Sequence, residues 1–124
     1  MFLKTISAIL FVLTLSMSTT LAGNAKQLNT LADKQQALSM KVVKAYTNKS
    51  TSVMPAIQAL EAGQIKLKKI AVHNSEINNL FVFLTICLDE MKVLVKKPYS
   101  AANAQLVADL SDSISEGSLY IAKA

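Results

Sequence analysis

Residues 29–46, NTLADKQQALSMKVVKAY, decide how this chain folds. Leu28, Leu31, Leu38, Val42 and Ala45 recur on a seven-residue period, with Gln35 occupying one position of the same seam. That spacing places them on one face of an amphipathic helix. The polar residues here are not ordinary surface filler. Gln35, Gln36 and Ser39 sit on or beside the face that should pack, and Lys34 and Lys41 lie seven residues apart, so both point the same way. A helix that keeps amides, a hydroxyl and cations close to its buried stripe either sets the geometry of a neighbouring helix or meets a polar ligand.

Working outward, this first helix spans about Asn24 to Thr47. The polar cluster Asn48-Lys49-Ser50-Thr51-Ser52 then breaks it. Ser52 opens a second helix, with Pro55 in its first turn, where a missing N–H costs little. Its stripe is Ile57, Leu60, Leu67 and Ile70, and it runs to about Val72. Asn74 or Ser75 caps a third helix with the stripe Ile77, Leu80, Phe81, Leu84, Leu88, Met91 and Val95. Phe81, Val82 and Phe83 make it apolar on more than one side. Lys96 and Lys97 suit its C-terminal end, and Pro98 stops it. Ser100 or Ala101 opens a fourth helix, with Leu106, Val107, Leu110, Ile114 and Ile121 inward. Gly63 and Gly117 each cost about 1 kcal/mol in a helix, and close helix–helix approach is the simplest reason to keep them. No alternating strand pattern competes. Four helices joined by a few residues each predict an all-α, antiparallel up-down-up-down four-helix bundle.

The first 22 residues read differently. Lys4 is a minimal positive segment, Ile6 to Leu15 is a mostly apolar run, and Thr20-Leu21-Ala22 offers small residues at a cleavage site. This is the pattern of a secretory signal peptide, so the expected division is a leader at 1–22 and one bundle domain at 23–124, located in the periplasm. Cleavage after Ala22 is the first choice and after Ala25 the second. An uncleaved inner-membrane anchor is the alternative, though the apolar run falls short of the roughly 20 residues a spanning helix needs.

Composition narrows the function classes. Removing Lys4 leaves twelve lysines against eight acids, a net charge of +4, and there is no arginine. Lysine is a point charge without the planar fork that reads carboxylates or phosphates in two-point contacts. Nucleic-acid binding wants basic residues gathered on one face with interleaved aromatics, a pattern absent here. Cys87 is alone, in the apolar run LFVFLTICL, and His73 is alone near a helix end. They compose neither a disulfide nor a metal set, and no cofactor motif is present. Asp89 and Glu90 are adjacent and diverge on a helix. Asp109, Asp112 and Glu116 share one helix face, a solvated strip or a docking strip for a basic partner. No nucleophile, base and orienting group fall at recognisable spacing, so an enzyme is not expected.

The segment Ala32 to Lys41, ADKQQALSMK, resembles the conserved box of the sensor module at the N-terminus of type IV pili methyl-accepting chemotaxis transducers, which is similar to that of nitrate/nitrite sensor kinases (the PilJ/NarX-like module). Ala32, Lys34, Gln35, Leu38 and Ser39 match it and Lys41 is conservative; Asp33, Ala37 and Met40 depart. Gln36 stands where the pattern has the arginine that holds the anion in the nitrate sensors. Asn74-Ser75-Glu76-Ile77 and Leu106 to Tyr120 resemble later parts of the module, without the tryptophan it often carries. The resemblance implies a homodimer whose ligand site lies between two copies of the first helix. It makes Lys34, Gln35, Gln36, Ser39 and Lys41 the candidate ligand-binding residues and implies a small anion or polar metabolite as ligand. A membrane-bound sensor or transducer protein is the implied partner.

Two functions of different class therefore stand side by side. One is a stand-alone ligand-sensing module. The other is a structural or protein-interaction bundle with no small-molecule ligand. In the second, Gln35 sets helix register, as a buried polar residue does in a coiled coil, and Lys34 and Lys41 are surface residues. The fate of Gln36, cavity or packed neighbour, discriminates between them.

Overall fold

A computed structural model gives four helices, α1 (Phe2–Thr47), α2 (Val53–Ile70), α3 (Ser75–Lys96) and α4 (Ala101–Lys123). Side chains are described for residues 25–124, so the leader at 1–22 and its cleavage point after Ala22 lie outside these residues; the first helix does not start near Asn24 as expected, because α1 runs through that position unbroken. Among the described residues there is no strand, and no helix is long and apolar enough to cross a membrane. The helices form an antiparallel four-helix bundle. Each packs on the next, and α1 closes the ring against α4 in the most extensive of the four contacts. The α2–α3 side is the thinnest.

The turns follow local chemistry. After α1 the Ser50 N–H donates to Ala45 O at 2.8 Å and the Lys49 N–H to Tyr46 O at 3.0 Å. This is the six-to-one and five-to-two pair of a Schellman ending. It forces Lys49 to φ 56°, a left-handed conformation that glycine usually fills. Lys49 Nζ lies 5.3 Å from the centre of the Tyr99 ring, which in turn sits 5.6 Å from Tyr46, so the turn is tied to the α3–α4 connection. Asn74 Oδ1 accepts from the Ile77 N–H at 2.9 Å and Ser100 Oγ from the Asn103 N–H at 3.0 Å. Ser52 starts α2 without a side-chain cap. Its hydroxyl is held instead by Ser50 Oγ at 2.8 Å.

The core runs the length of the bundle. Val42, Ile57, Leu60, Leu67, Ile77, Leu84, Met91, Val107, Ile114 and Ile121 are fully buried. Each large apolar side chain removed from water contributes about 1.5–3 kcal/mol. The expected stripes hold with seven adjustments, three of them Leu31, Leu38 and Ile70, which pack on the core only half-buried. Leu80, Val95 and Leu110 are only half-buried, and Leu106 is 49% exposed rather than inward. The inward stripe of α4 is Val107, Ser111, Ile114, Ser118 and Ile121. Leu106 is rotated about 100° from Val107 and therefore leaves it. Both glycines do mark close approach. A Cβ at position 117 would lie 2.7 Å from Leu84 Cδ2, and one at 63 would overlap the Gln35 carboxamide.

Candidate functional site

The box residues lie in the middle of α1, and the helix separates them. Gln35 is 1% exposed and Ser39 fully buried, whereas Lys34, Gln36 and Lys41 are exposed. Gln35 turns toward α2. Its Nε2 donates to the Leu60 carbonyl at 2.8 Å, and its Oε1, which has no hydrogen-bond partner, lies over Gly63. Only a residue without a Cβ admits the carboxamide there. Two helices are thereby locked at one rotation and one offset.

Ser39 turns toward α4. Its Oγ lies 2.8 Å from the Gln36 carbonyl and 2.8 Å from Ser115 Oγ. A hydroxyl has one proton. Ser39 gives its proton to the carbonyl, which can only accept, so Ser115 donates to Ser39. α4 also buries Ser111 and Ser118 near this pair, whereas its buried Gly117 faces Leu84 and Leu80 of α3. Small side chains let α1 and α4 approach closely, which accounts for the breadth of their contact. These α4 serines were not among the sequence candidates. Their signal was the spacing of Ser111, Ser115 and Ser118 at i, i+4 and i+7.

The three exposed candidates do not converge. At about 100° per residue, Lys34 and Lys41 lie about 20° apart on the flank toward α2, and Gln36 lies about 160° from Lys34 on the opposite flank. Gln36 faces neither a cavity nor a packed neighbour. Among the described residues Lys34 and Lys41 make no ion pair. The nearest concavity on that side of the bundle, about 550 Å³, is lined by Lys26, Leu31, Lys66, Lys69 and Ile70 and by none of the five candidates. One copy of the chain thus holds two box residues inside its own packing and presents three to its surroundings.

No family model, curated protein or solved structure matches this chain. The resemblance of the α1 box therefore rests on its own residues.

The remaining chemistry-bearing residues are dispersed. Among the described residues no group of His, Cys, Asp and Glu is placed to hold a metal ion. Cys87 is buried, and desolvation, with the nearby Glu90 charge, pushes its thiol up from the ordinary value. A thiolate, the reactive form, is correspondingly disfavoured. His73 is exposed in the α2–α3 connection. The α2–α3 seam carries one ion pair, Lys92 with Glu61, and one amide–hydroxyl contact, Gln64 Nε2 to Thr85 Oγ1 at 3.1 Å.

Proposed function

We propose that the chain is a non-catalytic interaction bundle, exported to the periplasm, whose α1 box serves packing and whose outer faces meet a protein partner. The observation that carries this proposal is the position of Gln35 and Ser39. Both are consumed by contacts to α2 and α4, and neither is free to touch a ligand. Lys34 and Lys41 are left as surface cations. The partner class follows the resemblance of the box: a membrane-bound sensor or transducer, since nothing among the described residues spans a bilayer.

A second proposal rests on Lys34 and Lys41 being exposed, unpaired and on one flank of α1. Two copies meeting along this flank would bring four lysines together, enough to hold a small anion or polar metabolite at a homodimer interface. Charge-assisted contacts are worth about 1.5–3 kcal/mol each, but Gln35 and Ser39 would take no part.

A thermal-shift panel of small anions and polar metabolites on the full chain separates the two. A flat panel is expected. A ligand at 100 times its dissociation constant adds about 2.7 kcal/mol. A shift of that size abolished by Lys34→Ala or Lys41→Ala would replace the interaction bundle with the ligand module.

A further inference from the structure

The acids of this basic chain are concentrated in one place. Glu76, Asp89, Glu90, Asp109, Asp112 and Glu116 all lie on α3 and α4, leaving only Asp33 and Glu61 among the eight acids for α1 and α2. The same two helices carry most of the large apolar residues left in water: Val82, Phe83, Ile86, Val93, Leu106 and Tyr120 are all 47–60% exposed. Charge and grease usually segregate on a monomer's surface, and large exposed apolar patches mark contacts. Here Phe83, Val93, Leu106 and Tyr120 share one face with five of these acids.

That face is grooved. Two concavities of about 450 and 630 Å³ lie between α3 and α4 and meet at Ser113. Their floor is apolar, with Leu80, Leu94 and Leu110 half-buried beneath Phe83, Val93 and Leu106. Their rim holds five carboxylates, Glu76, Asp89, Glu90, Asp109 and Glu116, and no lysine. Among the described residues none of the five forms an ion pair. Asp109 accepts from Gln105 Nε2 and Glu76 from the Tyr120 hydroxyl, contacts that leave their charge uncompensated. From Glu76 to Leu94 the groove follows α3 for about 27 Å, the length of an eighteen-residue helix.

We propose that this groove docks a cationic amphipathic helix of a partner protein. Its apolar stripe would lie on the floor between Phe83, Val93 and Leu106, and its lysines or arginines would reach the two rows of carboxylates. Helix-in-groove recognition needs a long apolar trough and complementary flanks, and the charge of the rim selects a basic partner over an acidic one. The assignment rests on the interaction reading and names its surface.

The test titrates the full chain into a fluorescein-labelled eighteen-residue peptide of leucine and lysine, with leucine at helical i, i+3 and i+4 spacing, followed by anisotropy. A scrambled peptide of the same composition lacks the apolar face. The expected result is saturable binding that the scrambled peptide loses at least tenfold. Asp109→Lys with Glu116→Lys, and separately Phe83→Ser with Val93→Ser, should each weaken it at least tenfold. Lys34→Glu with Lys41→Glu on the far side should change it less than twofold. Circular dichroism melts check that the variants fold, and Asp109→Asn with Glu116→Gln repeats the contrast if the charge reversals do not. Equal binding of both peptides, or indifference to the rim and floor variants, overturns the proposal. So does a dimer in sedimentation equilibrium that Phe83→Ser dissolves, which would make a second copy the occupant. A silent titration beside a flat anion panel removes this groove and leaves the interaction bundle; a ligand response in that panel removes the interaction bundle itself.

Discussion

Replacing Gly63 with alanine should destabilise the bundle, although alanine is the better helix former. On an isolated helix the exchange gains about 1 kcal/mol. Here the new methyl would overlap Gln35 Oε1 and lie 2.7 Å from Gln35 Cδ. The carboxamide is the flexible end of its side chain, but it is buried and held by the 2.8 Å bond to Leu60 O. Moving it breaks that bond inside the core. An unpaired buried amide costs about 1–3 kcal/mol, and overpacking adds about 1–3 kcal/mol. The net expectation for Gly63→Ala is a loss of about 1–5 kcal/mol, several degrees or more in melting temperature for a domain of this size. The sign should invert once the amide is gone. In a Gln35→Ala background the methyl enters vacated space, and Gly63→Ala should recover about 1 kcal/mol. Urea unfolding of the four proteins gives the coupling from midpoint shifts at constant slope, and about 2–6 kcal/mol is expected, large for a single contact. If Gly63→Ala has the same sign and size in both backgrounds, Gln35 does not set the α1–α2 contact and the account of the box as a packing device fails.

Three further outcomes follow from the geometry. Ser39→Ala should cost about 1 kcal/mol more than Ser115→Ala, because it strands the Ser115 donor while the reverse change leaves Ser39 bonded to the Gln36 carbonyl; equal losses in urea unfolding would refute the donor assignment. Asn74→Ala and Ser100→Ala should each lose about 1 kcal/mol as true caps. Ser52→Ala, which makes no cap bond, should stay within about 0.5 kcal/mol by the same assay. The Tyr120 hydroxyl donates to Glu76, and that bond together with the Glu76 charge raises its pKa above the ordinary value of 10.0. A raised folded pKa means stabilisation that is complete below the ordinary value and lost as pH climbs through the raised one. Wild type should therefore melt above Tyr120→Phe at pH 8, and the gap should shrink as pH climbs above 10.0 and the phenol ionises; a gap unchanged once Tyr120 is ionised would exclude the Glu76 bond as its source.

The bundle was legible from periodicity because the seven-residue repeat of α1 and the turn clusters around 48–52, 74 and 98–100 are local signals. Cross-helix pairing was not. That Gln35 occupies a seam position can be read from spacing, but that it rests on Gly63 depends on how α1 and α2 are rotated and offset against each other. Gly63 carried half of that information, since a helical glycine signals close approach without naming the residue that approaches. Leu106 misled because hydrophobicity alone does not say which of two adjacent residues faces inward; the small residues Ser111, Ser115 and Ser118 define the α4 face, and they look polar in a list of residue types. The separation of the five box residues has the same origin. Helical geometry alone places Gln36 on the opposite flank from Lys34 and Lys41, and only the neighbours show that Gln35 and Ser39 are already engaged.

The partnership of α1 with α4 also bears on when this chain folds. Its broadest contact joins the first helix to the fourth, and the Ser39–Ser115 pair closes 76 residues, against 25 for Gln35–Leu60. Closing the longer loop costs only about 1 kcal/mol more. The kinetic effect is larger in kind, because α1 has no α4 surface to bury against until residues beyond 100 have left the ribosome. An emerging chain is thus held back from its native core until α4 has been made. Under the export proposed above, that delay would keep α1 and α2 threadable while the exit route is engaged.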